Sequence, residues 1–364
     1  MTTIDTAADE AGRRDALADR LFRSMIESTE LASVWLGLRL RLYEVLREHG
    51  PATAAELAEL GGIDARYARE WLEQQAVAGL LDVEDADAGA ETRRYRLPDA
   101  HADVLLDADH PAHARATAYW MGSLAEVLQR IPGIYRSGAG LPYPEYGADC
   151  RLAIANFNRP MFVNDLADWF AAAPEFQARL TADGARVLDA GCGISWSSIS
   201  LARAFPALRV DGIDADEASI AEARRLADEA GVADRVRFRV VDAAELGAAG
   251  EGGYDAAFVF EALHDMARPV EALAAIRALL ADGGVVVVAD EKVAETFTAP
   301  GTRSSASTTA SAGGTACRPA GPRPRRRPTG RPCARTRSAT GPARPASPAT
   351  RCCPSTTSSG ASTS

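Results

Sequence analysis

Arg186-Val187-Leu188-Asp189-Ala190-Gly191-Cys192-Gly193-Ile194-Ser195-Trp196-Ser197-Ser198 runs from a short apolar segment through an acid and a Gly-x-Gly turn into a helical pattern. A nucleotide site on a parallel sheet begins in this way. The glycines let the backbone turn tightly and approach a ligand with no Cβ in between. The leading N–H groups of the following helix then favour electron-rich groups. The turn alone does not name its ligand, so the segments after it must.

Downstream, short apolar runs alternate with helical stretches. The runs are Val187-Leu188, Val210–Ile213, Val236–Val241, Ala256–Phe260 and Val285–Val288, with helices expected at Ser198–Phe205, Glu217–Ala230 and Pro269–Leu280. This alternation predicts an α/β domain with a parallel sheet and crossover helices, its ligands outside the carboxyl ends of the strands. Asp214 closes the second run, 21 residues beyond Gly193. A carboxylate there can accept both ribose hydroxyls of a nucleoside, or it can cap the next helix. Asp242 follows the third run; it can accept from an adenine amino group beside the Ala243 N–H, or it is a solvated turn residue. His264, in Glu261-Ala262-Leu263-His264-Asp265-Met266, follows the fourth run, where a neutral imidazole can take a proton from a hydroxyl near pH 7, or where a His merely packs or caps. Asp265 could instead cap the helix that Pro269 opens. Asp290 and Glu291, after the fifth run, would face the same rim, as a solvated strand end in preference to a catalytic pair.

A dinucleotide fingerprint would place its third glycine at Trp196, where an indole obstructs close helix–strand packing, so NAD is disfavoured. The run Val187-Leu188-Asp189-Ala190-Gly191-Cys192-Gly193 instead resembles the first motif of class I S-adenosylmethionine-dependent methyltransferases. Their usual third glycine corresponds to Ser195, whose hydroxymethyl group near the methionine end of the cofactor is expected to lower affinity. The resemblance implies a Rossmann-like sheet and S-adenosyl-L-methionine as cofactor, held by Asp189, Gly191, Gly193, Asp214, Ala215, Asp242, Ala243 and Glu261. In similar O-methyltransferases the His of a Leu-His-Asp-aromatic segment is the general base. That role falls on His264, with Met266 in place of the aromatic residue.

The front of the chain is mainly helical. Leu21 to Glu48 has apolar residues at helical spacing and Gly50-Pro51 breaks it. Ala54–Leu60 and Asp64–Leu81 then flank Gly61-Gly62 as a helix-turn-helix with Asp64 as N-cap, and Val83 and Tyr95-Arg96-Leu97 are candidate wing strands. Arg66 and Arg69 are matched by Glu70 and Glu73, and Asp82–Glu91 is strongly acidic, so DNA is a disfavoured partner. The segment resembles the winged-helix domain in front of many bacterial and plant small-molecule methyltransferases, which usually pairs two subunits; a homodimer is therefore expected. Between Pro111 and Leu180 a helical connector carries Tyr143, Tyr146, Asn156, Asn158 and Arg159. Such side chains are ordinary on surfaces. Related two-domain methyltransferases instead lay this segment over the cofactor as a lid, for which Tyr146, Asn158 and Arg159 are the candidates.

Residues 303–364 hold eleven Arg, no Lys, no acid and none of Leu, Ile, Val, Phe, Tyr, Trp or Met. Removing those eleven positive charges from the formal net charge of -10 leaves -21 on residues 1–302, an acidic body unsuited to broad phosphate-backbone binding. The tail cannot bury a core and is expected to be disordered. Codons for Gly301-Thr302-Arg303-Ser304-Ser305, read two bases along, can encode Asp-Glu-Val-Glu, and those for Thr356–Gly360 can encode Asp-Phe-Phe-Arg. Both resemble the C-terminal sequence of such methyltransferases. A frameshift near Gly301 is therefore expected, one that would replace the last two strands and part of the acceptor pocket with coil and so bear on the activity of this chain, which is otherwise read as an enzyme.

The six Cys show no zinc-ligand spacing with paired His, so neither a metal nor a disulfide framework is expected. No apolar run is long enough to span a bilayer and the start is polar, so a cytoplasmic protein is expected. The expected domains are 15–110 (winged helix), 111–180 (connector and lid), 181–300 (cofactor domain) and 301–364 (tail). The expected function is methyl transfer to a small-molecule hydroxyl. The competing class is a winged-helix transcriptional regulator with a ligand-binding methyltransferase-like domain.

Overall fold

Capping residues set the helices of the front region. Thr53 accepts from the Glu56 N–H while Glu56 reaches back to the Thr53 N–H, a capping box that opens the helix Ala54–Gly61. Asp64 accepts from the Arg66 and Tyr67 N–H groups and opens the helix Ala65–Val77. The structure is a computed structural model that describes residues 3–248 and 252–292, with Thr296 and Ala299 beyond them. Its front elements are α1 (Thr3–Arg39), α2 (Leu42–His49), α3 (Ala54–Gly61), α4 (Ala65–Val77), the wing strands β1 (Asp82–Val83) and β2 (Tyr95–Arg96), and α5 (Asp99–Leu105). Leu42, Tyr43, Leu57, Leu72 and Tyr95 form its core.

Two helix expectations need correction. The pattern from Leu21 to Glu48 is broken at Arg41, which adopts a left-handed φ of 58° and separates α1 from α2. The helix expected over Asp64–Leu81 stops at Val77, two residues before Gly79. The arginines of α4 and of the wing are occupied by acids: Arg66 pairs with Glu70, Arg69 with Glu91, Arg93 with Glu73, Arg94 with Glu56 and Arg96 with Asp82. Little free positive charge is left there for a phosphate backbone.

The connector comprises α6 (Ala116–Val127), α7 (Ile131–Ser137), a 3-10 turn at Tyr143–Tyr146, α8 (Gly147–Asn164), α9 (Leu166–Ala171) and α10 (Pro174–Leu180). It is tied to the front by the buried Asp149, which accepts a 2.6 Å hydrogen bond from Trp35 Nε1.

The remaining elements are β3 (Arg186–Ala190), α11 (Trp196–Ala204), β4 (Arg209–Asp214), α12 (Glu217–Glu229), β5 (Val236–Val240), β6 (Tyr254–Phe260), α13 (Pro269–Leu279) and β7 (Leu280–Ala289). All five strands are parallel, in the order β5-β4-β3-β6-β7. The first strand is thus central and the order reverses beside it, which places the switch point at the end of β3. Buried side chains alternate between two faces. Val187, Val210, Phe238 and Phe258 pack under α8, α9, α11 and α12, while Leu188, Ala257 and Val259 meet α13. The helix opened by Pro269 has Arg268 at its N-cap, so Asp265 does not cap it. No strand follows β7 among the described residues. The tail 301–364, with the disorder and frameshift expected there, lies outside the described residues.

Candidate active site

The end of β3 is shaped by glycine. Gly191 has φ 78°, and a Cβ there would lie 2.6 Å from Ala262 Cβ, so only a bare backbone lets the loop after β6 close against this turn. The Gly191 and Cys192 N–H groups both donate to Ile213 O, at 2.8 and 3.0 Å, which fixes the turn to the end of β4. Gly193, at φ 51°, donates its N–H to Asp214 Oδ2 at 2.9 Å.

That bond and a second from the Asp216 N–H to Oδ1, also 2.9 Å, hold the Asp214 carboxylate across the mouth of the turn. Each oxygen keeps a lone pair, so the group can still accept two hydroxyls side by side. Burial raises its pKa, against the pull of these N–H groups. The helix-capping role falls to Asp216, which accepts from the Ser219 N–H at 2.9 Å and leaves Asp214 and the adjoining Ala215 to the rim.

Asp189 needs a correction. Its side chain is buried and accepts from the Ser197 and Ser198 hydroxyls, each at 2.6 Å. It is turned into the fold and binds α11 to the strand, so it positions the turn instead of touching a ligand. Burial pushes its carboxyl up to about 6, against the two hydroxyls.

At the end of β5, Asp242 Oδ1 accepts from the Ala244 N–H at 2.9 Å and Oδ2 from Arg268 at 2.6 Å. Arg268 also holds Glu245 at 2.9 Å. Asp242 is therefore an ion-paired turn residue, beside the buried Ala243. As with Asp214, each oxygen retains one acceptor site.

At the end of β6, Glu261 takes a left-handed φ of 49° and lines the pocket beside the glycine turn. Burial, then Asp290 and Glu291, push its carboxyl up to about 7. His264 lies on the short turn Leu263–Asp265. Its Nδ1 is 2.5 Å from Asp290 Oδ1, and its Nε2 is 3.6 Å from Asp265 Oδ2. Burial depresses this imidazole, but Asp265 and the hydrogen bond with Asp290 outweigh it and leave the pKa raised. Asp290, which the sequence assigns to a solvated strand end, is thus the partner that orients His264, because β7 runs beside β6 and ends level with it.

Over the turn lies a small pocket of about 60 Å³ walled by Tyr143, Arg151, Asn158, Phe162, Ser195 and Phe260 with the glycine residues. Of the lid candidates, Asn158 lines it. Arg159 grips the rim from outside, with its guanidinium 3.6 Å from the Trp196 ring centroid and its Nε 2.6 Å from Asp109. Tyr146 is a correction: it is fully buried in a satellite core with Val127, Leu141 and Cys150, and Tyr143 faces the pocket in its place. The sequence reading missed Arg151. Its Nε and a terminal nitrogen hold the two oxygens of Asp216 at 2.5 and 2.9 Å, joining the lid to the loop after β4. A wider cleft of about 610 Å³, lined by Arg186, Asp211, Arg237 and Tyr254, lies toward the amino ends of the strands. The converging polar groups are at the carboxyl ends, where parallel sheets bind ligands.

Comparison with known proteins bears on the domains and the fold. A methyltransferase-domain family matches residues 181–318, and an Rv2258c-like winged HTH domain family matches residues 30–106. The ubiquinone biosynthesis O-methyltransferase of Caulobacter sp. (strain K31) is 36% identical over 107 residues, 29% of this chain and 41% of that protein. The matches span 24% to 47% of the length of three curated relatives. Among solved structures, the mitomycin 7-O-methyltransferase MmcR superposes with TM-score 0.61 at 22% identity, covering 85% of this chain and 88% of that one. Human N-acetylserotonin methyltransferase in complex with SAM gives TM-score 0.62 at 16% identity, covering 83% and 86%. The chain thus joins an N-terminal winged helix-turn-helix domain to a Rossmann-like methyltransferase domain.

Proposed function

We propose that this protein transfers a methyl group from S-adenosyl-L-methionine to a hydroxyl of a small molecule. The observation that carries this reading is the meeting of the Gly191–Gly193 turn with Asp214, whose two oxygens are fixed by backbone N–H groups yet retain one lone pair each. A ribose diol fits that arrangement. The open space beside Gly193, where a Cβ would meet nothing within 4 Å, and the buried, unpartnered Ser195 hydroxyl in the pocket wall are consistent with a bound group. Asp214 would hold the ribose, and Asp242 with Ala243 the adenine. Glu261 and the Gly191–Ser195 turn would hold the amino-acid end. When bound, the cofactor supplies a methyl group already activated by its sulfonium.

The protein's own task is to align the acceptor and to remove its proton. Asp290 fixes His264 through Nδ1, which leaves Nε2 as the atom that takes the hydroxyl proton. The carboxylates of Asp265 and Asp290 then stabilise the imidazolium that results. The pocket is too small for a nucleoside, so entry requires Tyr143 and Asn158 to swing aside.

The partner in this reading is a second copy of the chain. Leu17, Leu21, Phe22, Met25 and Ile26 form an exposed apolar stripe on α1 that such a copy would cover. No helix among the described residues is long and apolar enough to cross a membrane, and the proposed site of action is the cytoplasm. Incubation with methyl-labelled S-adenosyl-L-methionine and a panel of small phenols tests the activity. Label transfer that His264→Ala abolishes supports it, and absence of transfer to every phenol refutes the hydroxyl assignment.

A further inference from the structure

Ser195 carries two unfavourable features at one position. It has a left-handed φ of 80°, a conformation that residues with a Cβ rarely adopt. Its hydroxyl is buried, with 1% of the residue exposed, and has no hydrogen-bond partner. At the N-cap of α11 a serine would ordinarily accept from the first helical N–H groups, but the left-handed backbone turns this side chain away and no cap bond forms. The residue lines the pocket. Strain and an unpaired polar atom together, in a pocket wall, mark a place where a ligand is expected to complete the bonding.

We propose that the Ser195 hydroxyl and the leading N–H groups of α11 bind the α-carboxylate at the amino-acid end of the cofactor. This rests on the cofactor reading above. The positive end of a helix favours an anion, and a hydroxyl with no acceptor of its own is a ready donor to one. The cationic side chain in the pocket wall, Arg151, is committed to both oxygens of Asp216. On this view the hydroxymethyl group that replaces glycine strengthens cofactor binding, contrary to the expectation from sequence.

Calorimetric titration of the full chain with S-adenosylhomocysteine and with 5′-methylthioadenosine tests the assignment. The two share a thioether nucleoside, and only the first has the amino-acid end. Ser195→Ala should weaken S-adenosylhomocysteine about tenfold, equivalent to about 1.4 kcal/mol, and leave methylthioadenosine unchanged. Ser195→Gly should show the same selective loss yet melt at higher temperature, because glycine accepts the left-handed turn. A purely structural role would lower the melting temperature and weaken both ligands alike, which overturns the proposal. So does unchanged S-adenosylhomocysteine binding in Ser195→Ala, which leaves the cofactor reading intact. Binding of neither compound by the unaltered chain overturns both.

Discussion

Replacing Arg151 by methionine should destabilise the fold by about 3 kcal/mol, the low end of the cost of breaking a buried ion pair. The side chains of Arg151 and Asp216 are only 17% and 4% exposed, so solvent screens the pair weakly. Removal of the guanidinium leaves a buried carboxylate that retains only the Ser219 N–H and hydroxyl on Oδ2, at 2.9 and 2.7 Å. Those two bonds set the estimate at the low end. Burial raises the Asp216 pKa, but the bonds from Arg151 and Ser219 outweigh it and leave the group below the ordinary carboxylate value. A depressed folded pKa contributes stability that is present above the unfolded value of about 3.9 and is lost as pH falls through the folded one. The gap between the unaltered protein and Arg151→Met should therefore be full at pH 7 and shrink in acid. Urea unfolding at pH 7 and pH 3 measures it, and Asp216→Asn with the double variant closes a thermodynamic cycle. A loss below about 1 kcal/mol at pH 7, or strict additivity in the cycle, would refute the latch.

Asp189 gives the opposite pH sign. Its folded carboxyl is pushed up to about 6, so its contribution to stability is full below the unfolded value near 3.9 and declines by roughly 3 kcal/mol as pH rises through 6. Asp189→Asn should remove that slope from melting curves taken between pH 4.5 and 7.5; an unchanged slope would show the carboxyl is not protonated in the fold. Gly191→Ala should cost about 1–3 kcal/mol in urea unfolding, since its Cβ meets Ala262 at 2.6 Å with a positive φ. Adding Ala262→Gly should recover only part of that cost, and full recovery would mean the backbone angle costs nothing. Methyl transfer should rise with pH through an inflection above the ordinary imidazole value of 6.5, because His264 must be neutral to take a proton. Asp290→Asn should move the inflection down by removing one of the groups that raise it, and a flat profile would exclude His264 as the base.

Much of the sheet was legible because each strand carries apolar residues and is closed by an acid or glycine at its carboxyl end, as in Val-Leu-Asp-Ala-Gly at β3 and Phe-Val-Phe-Glu at β6. Asp214, Gly191 and Gly193 were identifiable for that reason. Asp189 was misassigned because an acid at a strand end has two directions to face. Two serines eight and nine residues later, Ser197 and Ser198, turn it inward. Tyr143 and Tyr146 are chemically alike and three residues apart, and only the packing of Tyr146 against Val127 and Leu141 separates them. The pairings of Arg151 with Asp216 and of Asp290 with His264 could not be found by spacing, since the partners are 65 and 26 residues apart and meet only through lid packing and the β6–β7 register.

Titration of the full chain with S-adenosylhomocysteine, beside Asp214→Ala, tests the cofactor site most directly. One molecule bound per chain is expected, with affinity falling in the variant by about 1.5–3 kcal/mol, the worth of hydrogen bonds to a charged group. Absence of binding to the unaltered protein, or equal affinity in Asp214→Ala, would contradict the assignment of this rim to the nucleoside.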